Sequence, residues 1–180
     1  METFKTIARR KSVRAYTTEK VRVETLDKIL AAGCSAPVGM NQYDSLHLTV
    51  IQDASALKQL GGGISMVMNK FMKKENPEPF DFYGASTAVL ISSKEQMLPG
   101  MDYTNAANIA ENMMLAATDL GIGSCVIWAS GTAAASDTIL KATLAIPDEY
   151  NPLFSVVFGY ASEDDHIEKD LQITISMNHV

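Results

Sequence analysis

The run 105–120 constrains the fold of this chain more than any other stretch. Its spacing predicts a helix, and Ala106, Ala107, Ile109, Ala110, Met113, Met114, Leu115, Ala116 and Ala117 make it apolar almost all round. A helix without a polar face has to be covered. It therefore crosses the middle of a monomer or packs at a subunit interface. Four apolar runs elsewhere are strand candidates: 47–51, 87–91, 125–128 and 153–160. The continuous run 87–91 fits a buried strand.

Residues 1–9 and 21–34 read as helices. In the second, Val23, Leu26, Ile29 and Leu30 share a face and Gly33 falls near the end. A helix begins at 54–60, is broken by Gly61, Gly62 and Gly63, and resumes over 64–74. Residues 135–145 form another, closed by Pro147. The segments 35–45 and 75–84 carry prolines, glycines and an asparagine and read as loops, the second one exposed. Near the end, Leu171, Ile173, Ile175 and Met177 alternate with polar residues after the acidic run 163–165, the period of a half-buried strand. Such a strand pairs with its own sheet edge or with a neighbouring subunit's. No repeat or linker divides the chain, so residues 1–180 form one domain. Helices and strands are mixed without strict alternation, which predicts an α+β fold with a mostly antiparallel sheet flanked by helices.

The net charge of −6 argues against a nucleic-acid partner, although basic residues are bunched near the N-terminus. No run reaches the roughly 18 apolar residues of a membrane span, and no apolar signal core opens the chain. Two cysteines, Cys34 and Cys125, are too few for a disulfide scaffold and fit a reducing cytoplasm. His47, His166 and His179 have no metal-ligand spacing. Neither a Gly-x-Ser-x-Gly elbow nor a phosphate-loop Gly-x-x-x-x-Gly-Lys occurs. With no obvious nucleophile or acid–base set, a cofactor enzyme is the reading that accounts for the absence.

The segment Arg10-Lys11-Ser12-Val13-Arg14 follows the first helix. Ser12, Val13, Tyr16, Thr17 and Thr18 favour extended or capping geometry. In an extended chain Arg10, Ser12 and Arg14 share a face. At about 3.3 Å per residue, the two arginines stand roughly 13 Å apart. That spacing suits a long anion with a phosphate at one end and an electron-accepting ring at the other, because Arg forks grip phosphate oxygens and Ser adds a neutral donor. The plain alternative is a basic turn in water.

This segment resembles the N-terminal signature of the FMN-dependent nitroreductase family, Arg-Arg/His-Ser-x-Arg/Lys. Three more segments follow in the family's order. Ala36-Pro37-Val38-Gly39-Met40-Asn41 resembles the loop after the second helix. Glu111-Asn112-Met113-Met114-Leu115-Ala116-Ala117, with Leu120-Gly121-Ile122-Gly123-Ser124-Cys125, resembles the central helix and the strand after it. Phe158-Gly159-Tyr160 resembles the last core strand.

The resemblance implies an FMN oxidoreductase acting as a homodimer with shared sites. It would pass a hydride from NADH or NADPH through flavin N5, in ping-pong order, to a nitroaromatic, quinone or flavin. It implies roles residue by residue. Arg10 and Ser12 match positions that hold the FMN phosphate and ribityl chain, with Lys11 where Arg or His is usual. Arg14 matches a cation beside the pyrimidine edge of the ring, where it would favour the reduced anion. Asn41, with Pro37, Val38 and Gly39, matches a loop that relatives bring from the neighbouring subunit. Tyr43-Asp44-Ser45 replaces the Gln-Pro-Trp usual downstream of that loop. Trp128 and Ala129 stand in a run where relatives carry glycines close to the flavin; Trp128 walls the pocket or fills the core. Lys169 stands where relatives often place two phosphate-binding cations. Phe71, Phe80, Phe82 and Tyr83 fall in the variable region on the substrate side. Two other readings remain: a specialised flavoenzyme of the same fold, such as a reductive dehalogenase, and a non-catalytic flavin or nucleotide carrier or sensor.

Overall fold

The structure, a computed structural model, describes residues 2–72, 78–163 and 167–180, without the side chains of Phe71 and Met72. Expectations placed on Met1, on the side chain of Phe71, on residues 73–77 and on residues 164–166 lie outside the described residues.

Four strands form one antiparallel sheet: β1 (Leu46–Ile51), β2 (Thr87–Ser93), β3 (Gly123–Ile127) and β4 (Asn151–Gly159), in the order β1-β2-β4-β3. β2 and β4 are central, with Val89 opposite Val156 and Leu90 opposite Ser155. Every residue of β2 and all of β4 after Asn151 are buried, which is why both strands read as continuous apolar runs. Side chains alternate across a sheet. Ala88, Leu90, Cys125, Ile127 and Val157 therefore face one layer of helices, and Val89, Ile91, Phe154, Val156 and Phe158 face the other.

The first layer holds α3 (Ala54–Met72), α5 (Ala129–Ser136) and α6 (Thr138–Thr143). The second holds α2 (Val23–Cys34) and α4 (Met101–Asp119). α4 contributes Ala106, Ile109, Ala110, Met113, Met114 and Ala117 to that core, while Tyr103, Thr104, Ala107 and Glu111 are exposed on its other side. The helix therefore lies in an outer layer of the subunit, covered on one face. In α2, Leu26 and Ile29 are buried and Leu30 partly so, but Val23 is exposed. α1 (Thr3–Arg9) packs against α4.

Three expectations need correction. The triple glycine does not break α3, which runs through it. A side chain at Gly61 would collide with the Phe80 carbonyl, and the Phe80 N–H donates to the Gly61 carbonyl at 3.1 Å. The glycine admits a crossing segment that its sequence neighbours do not reveal. Residues 135–145 are not one helix, because Asp137 leaves helical geometry (φ −132°) and caps α6 by accepting from the N–H groups of Ile139 and Leu140. The loop before β2 is not wholly exposed: Phe82 is among the most buried side chains.

The tail 171–177 forms no strand within this chain, and Leu171, Ile173, Ile175 and Met177 are all exposed. Its apolar alternation is present, but this chain's own sheet edge is not its partner. Among the described residues no helix is long and apolar enough to cross a membrane.

Candidate functional site

The basic segment is extended from its first residue. α1 ends at Arg9, and Arg10 already has φ −60° and ψ 123°. Ser12 bridges Ser124 in parallel, and the Val13 N–H donates to the Ser124 carbonyl at 2.9 Å. Further on, Tyr16 bridges Ala161, its N–H donates to the Tyr83 carbonyl, and Thr17 N–H donates to the Tyr160 carbonyl at 2.8 Å. The segment is an extended stretch tied to the edge of the sheet by single bridges and not a turn.

Alternation then sorts its side chains. Arg9, Lys11 and Val13 line a cleft of about 280 Å³ with Gly123, Tyr160 and Ile167. On the opposite face, Arg10 Nε lies 3.7 Å from Glu111 Oε1, and Ser12 and Arg14 are exposed. Cys125 follows the bridged Ser124 in β3. Burial pushes its thiol pKa up, while Arg14, a hydrogen bond with Ser12 and Arg10 all pull it down. Burial wins, so the thiol stays neutral near pH 7, as a small core residue would. Lys169 is exposed, and its backbone N–H donates to the Ala8 carbonyl at 3.0 Å. The chain's last segment thus anchors at the end of α1, one residue from Arg9.

The 37–41 loop lines a different cavity, of about 520 Å³, where Pro37, Val38 and Gly39 face Leu98, Met101 and Asn105. Its tip is strained. Met40 and Asn41 sit in the left-handed region at φ 55° and 58°, and both are exposed. Tyr43, in the departure from the family's usual sequence, donates its hydroxyl to the Ala36 carbonyl at 3.0 Å.

Trp128 does not end β3; it stands at the start of α5 and is 60% exposed. Its ring is stacked between Tyr103, at 5.1 Å and 19°, and Phe154, at 5.6 Å and 10°. The three rings wall a cavity of about 560 Å³ with Val126, Met114 and Glu111, so Arg10 meets its rim through Glu111. Exposed in this way, Trp128 is not the core residue that was the alternative. Ala129, beside it, packs on the α3–α5 core.

The remaining aromatics divide. Phe82 is core. Phe80 stands edge-on to both Phe82 and Tyr83 at 5.2 Å, and it lines a cavity of about 460 Å³ with Leu57, Lys20 and Lys58. Among the described residues, no three His, Cys, Asp or Glu side chains gather as a metal site.

Sequence reasoning missed Glu111 as the partner of Arg10, Tyr103 as the base of the aromatic stack, and Asn105 and Asn108, which bind the 37–41 loop. Polar residues at Asn105, Asn108 and Asn112 on an otherwise apolar helix were the available signal, because spacings of three and four share a face.

An antiparallel sheet between two layers of helices, with an extended basic segment bridged to its edge, defines a recognisable class. The Nitroreductase family model matches residues 7–160. A Bacteroides fragilis nitroreductase crystallised with bound FMN is 30% identical, with a TM-score of 0.83 over 100% of this chain and 99% of that one. A Desulfitobacterium hafniense nitroreductase, also with bound FMN, is 23% identical with a TM-score of 0.82, covering 100% and 99% of the two chains, and speaks to the fold alone. An Archaeoglobus fulgidus protein provisionally named an NADH dehydrogenase/NAD(P)H nitroreductase is 29% identical over 94% of this chain and 91% of its own. The chain belongs to the nitroreductase family of oxidoreductases.

Proposed function

We propose that this protein is an FMN-dependent oxidoreductase of the nitroreductase type, taking electrons from NADH or NADPH and working as a homodimer. One observation carries the reading: Arg10, Ser12 and Arg14 stand at alternate positions of an extended segment bridged to β3 at Ser12, on the face opposite the one that Lys11 and Val13 present to the cleft. That donor set fits a flavin mononucleotide. Guanidinium forks and a hydroxyl suit a phosphate and ribityl chain, and a second fork suits the polar edge of a ring. Arg10 and Ser12 would hold the phosphate end; Lys11, on the opposite face of the segment, and Lys169, tied to the end of α1, would add positive field there. Arg14 would face the ring's pyrimidine edge, where a fixed cation favours negative charge. Trp128 and Ala129 would wall the ring side. Pro37, Val38, Gly39 and Asn41 would complete the site of the partner subunit. The exposed apolar residues of 171–177 would be covered by adding a strand to the partner's sheet, which removes an otherwise unpaired edge.

When bound, the flavin would supply the electron chemistry between NAD(P)H and a nitroaromatic, quinone or free-flavin acceptor, in ping-pong order. The chain's own work is binding, orientation and field.

The test is a visible spectrum of purified protein with added FMN, before and after NADH and then NADPH under anaerobic conditions. A bound-flavin spectrum that bleaches rapidly with one donor is expected. Protein that takes up no flavin would refute the reading. A flavin that binds and never bleaches would leave a carrier.

A further inference from the structure

Three asparagine amides lie along one face of α4 and grip consecutive points of the 32–39 segment. Asn112 Nδ2 donates to the Ala32 carbonyl at 3.1 Å. Asn108 Nδ2 donates to the Pro37 carbonyl at 3.0 Å. Asn105 Oδ1 accepts from the Gly39 N–H at 2.9 Å. Each backbone partner fixes which way its amide points. The order runs backward along α4 as the chain advances, so the helix and the loop form a short antiparallel ladder. At its root Gly33 lies flush on the helix: a Cβ there would come within 2.6 Å of Met113 Cγ.

Stability alone does not explain these residues. Asparagine is a poor helix former beside alanine or leucine. Asn105 is only 2% exposed, and its Nδ2 has no hydrogen-bond partner. A buried donor without a partner is destabilising. What the amides secure instead is an irregular stretch of backbone ending in two non-glycine residues at left-handed φ, Met40 and Asn41, both turned outward. Outward-facing strain of this kind persists where surrounding contacts over-determine it, as at ligand clamps.

We propose that Asn105, Asn108 and Asn112 are positioning residues that set the height and direction of the 37–41 loop for the flavin site of the partner subunit. The inference rests on the functional reading above, in which that loop serves the other copy. It goes further by naming what holds the loop and by assigning the effect to the opposite subunit.

Reconstituted wild-type holoenzyme, Asn105→Leu, Asn105→Asp and Asn108→Ala are compared by FMN affinity, NAD(P)H turnover and melting temperature. Asn105→Asp keeps an oxygen for the Gly39 N–H, and Asn108→Ala spares the buried position should Asn105→Leu fold poorly. Asn105→Leu and Asn108→Ala are expected to lose about tenfold in turnover or FMN affinity through misplacement of the loop, and Asn105→Asp to recover most of that loss.

The decisive sample is a doubly tagged heterodimer of one Asn108→Ala subunit and one Arg10→Ala, Arg14→Ala subunit. Acting across the interface, it retains one intact site of two and shows about half the wild-type turnover, well above either parent. A heterodimer no better than its parents overturns the inference, since the ladder would then act within its own subunit. So does an Asn108→Ala enzyme indistinguishable from wild type. Wild type that binds no FMN refutes the functional reading itself, and this inference with it.

Discussion

Segments 10–17 and 35–41 are both irregular stretches held against regular structure, but by opposite means. The first is held by its backbone, through bridges from Ser12 to Ser124 and from Tyr16 to Ala161. Its side chains are left to alternate between the cleft and the outer face. The second has no strand partner and is held by side chains from elsewhere, the amides of α4 and the hydroxyl of Tyr43. Backbone anchoring suits a segment whose side chains do the binding. Side-chain anchoring suits a segment that presents its own backbone and tip.

Disturbing the backbone anchor tests this division most severely. A Cβ at Gly123 would lie 2.9 Å from Val13 Cγ2, so Gly123→Val pushes the strip off β3. Overpacking of this kind costs about 1–3 kcal/mol, and FMN affinity is expected to fall by about two- to tenfold if half of that reaches the site. Titration of flavin fluorescence measures it. An unchanged affinity with a lowered melting temperature would mean that the strip's register is irrelevant to binding.

A smaller effect is expected from the side-chain side of the strip. Glu111 is half-exposed and holds Arg10 at 3.7 Å. Exposed pairs of this kind are worth about 0.2–1 kcal/mol. Glu111→Gln should therefore free the guanidinium and tighten FMN by a factor of about two to five. Weaker binding would show that Glu111 positions Arg10 instead of competing for it.

The smallest effect at neutral pH belongs to Tyr16. Its hydroxyl is buried without a partner. Burial, then Cys125 and Tyr83, push its pKa above the ordinary tyrosine range, with Arg14 opposing. In the unfolded chain tyrosine ionises near pH 10. Below that pH both states are protonated and Tyr16 contributes no pH dependence. Above it the unfolded state loses its proton first, so native stability falls as pH rises. Tyr16→Phe should flatten this alkaline loss and change stability by about 1 kcal/mol or less at pH 7. Urea melts at pH 7 and pH 10.5 check both statements, and an equally steep alkaline loss in the variant would assign it to other groups.

Much of the architecture is legible from residues 87–91 and 153–160, because burial on both faces writes itself as unbroken apolar sequence. The extended basic strip is equally legible: β-branched and hydroxyl residues after a helix set the alternation that the structure keeps. What escapes is non-local. Gly61 reads as a breaker because the Phe80 carbonyl it accommodates lies far along the chain. Asp137 carries a local capping signal that the apolar residues around it obscured. The tail shows the right period, yet periodicity does not name the edge a strand joins. The asparagines of α4 look like blemishes on an apolar helix until the carbonyls they reach are known.

The family model ends at residue 160, yet the described chain beyond it is not an idle appendage. Ile167 forms part of the cleft beside Lys11, and the Lys169 amide is tied to the first helix. The described part of this end is thus a fitting fixed to the chassis at the cleft and at α1. If Lys169 serves the flavin phosphate as proposed, grafting the corresponding end from a relative would alter cofactor retention while leaving the sheet untouched. Lineages sharing this scaffold could diverge in grip by changing only their closing segment.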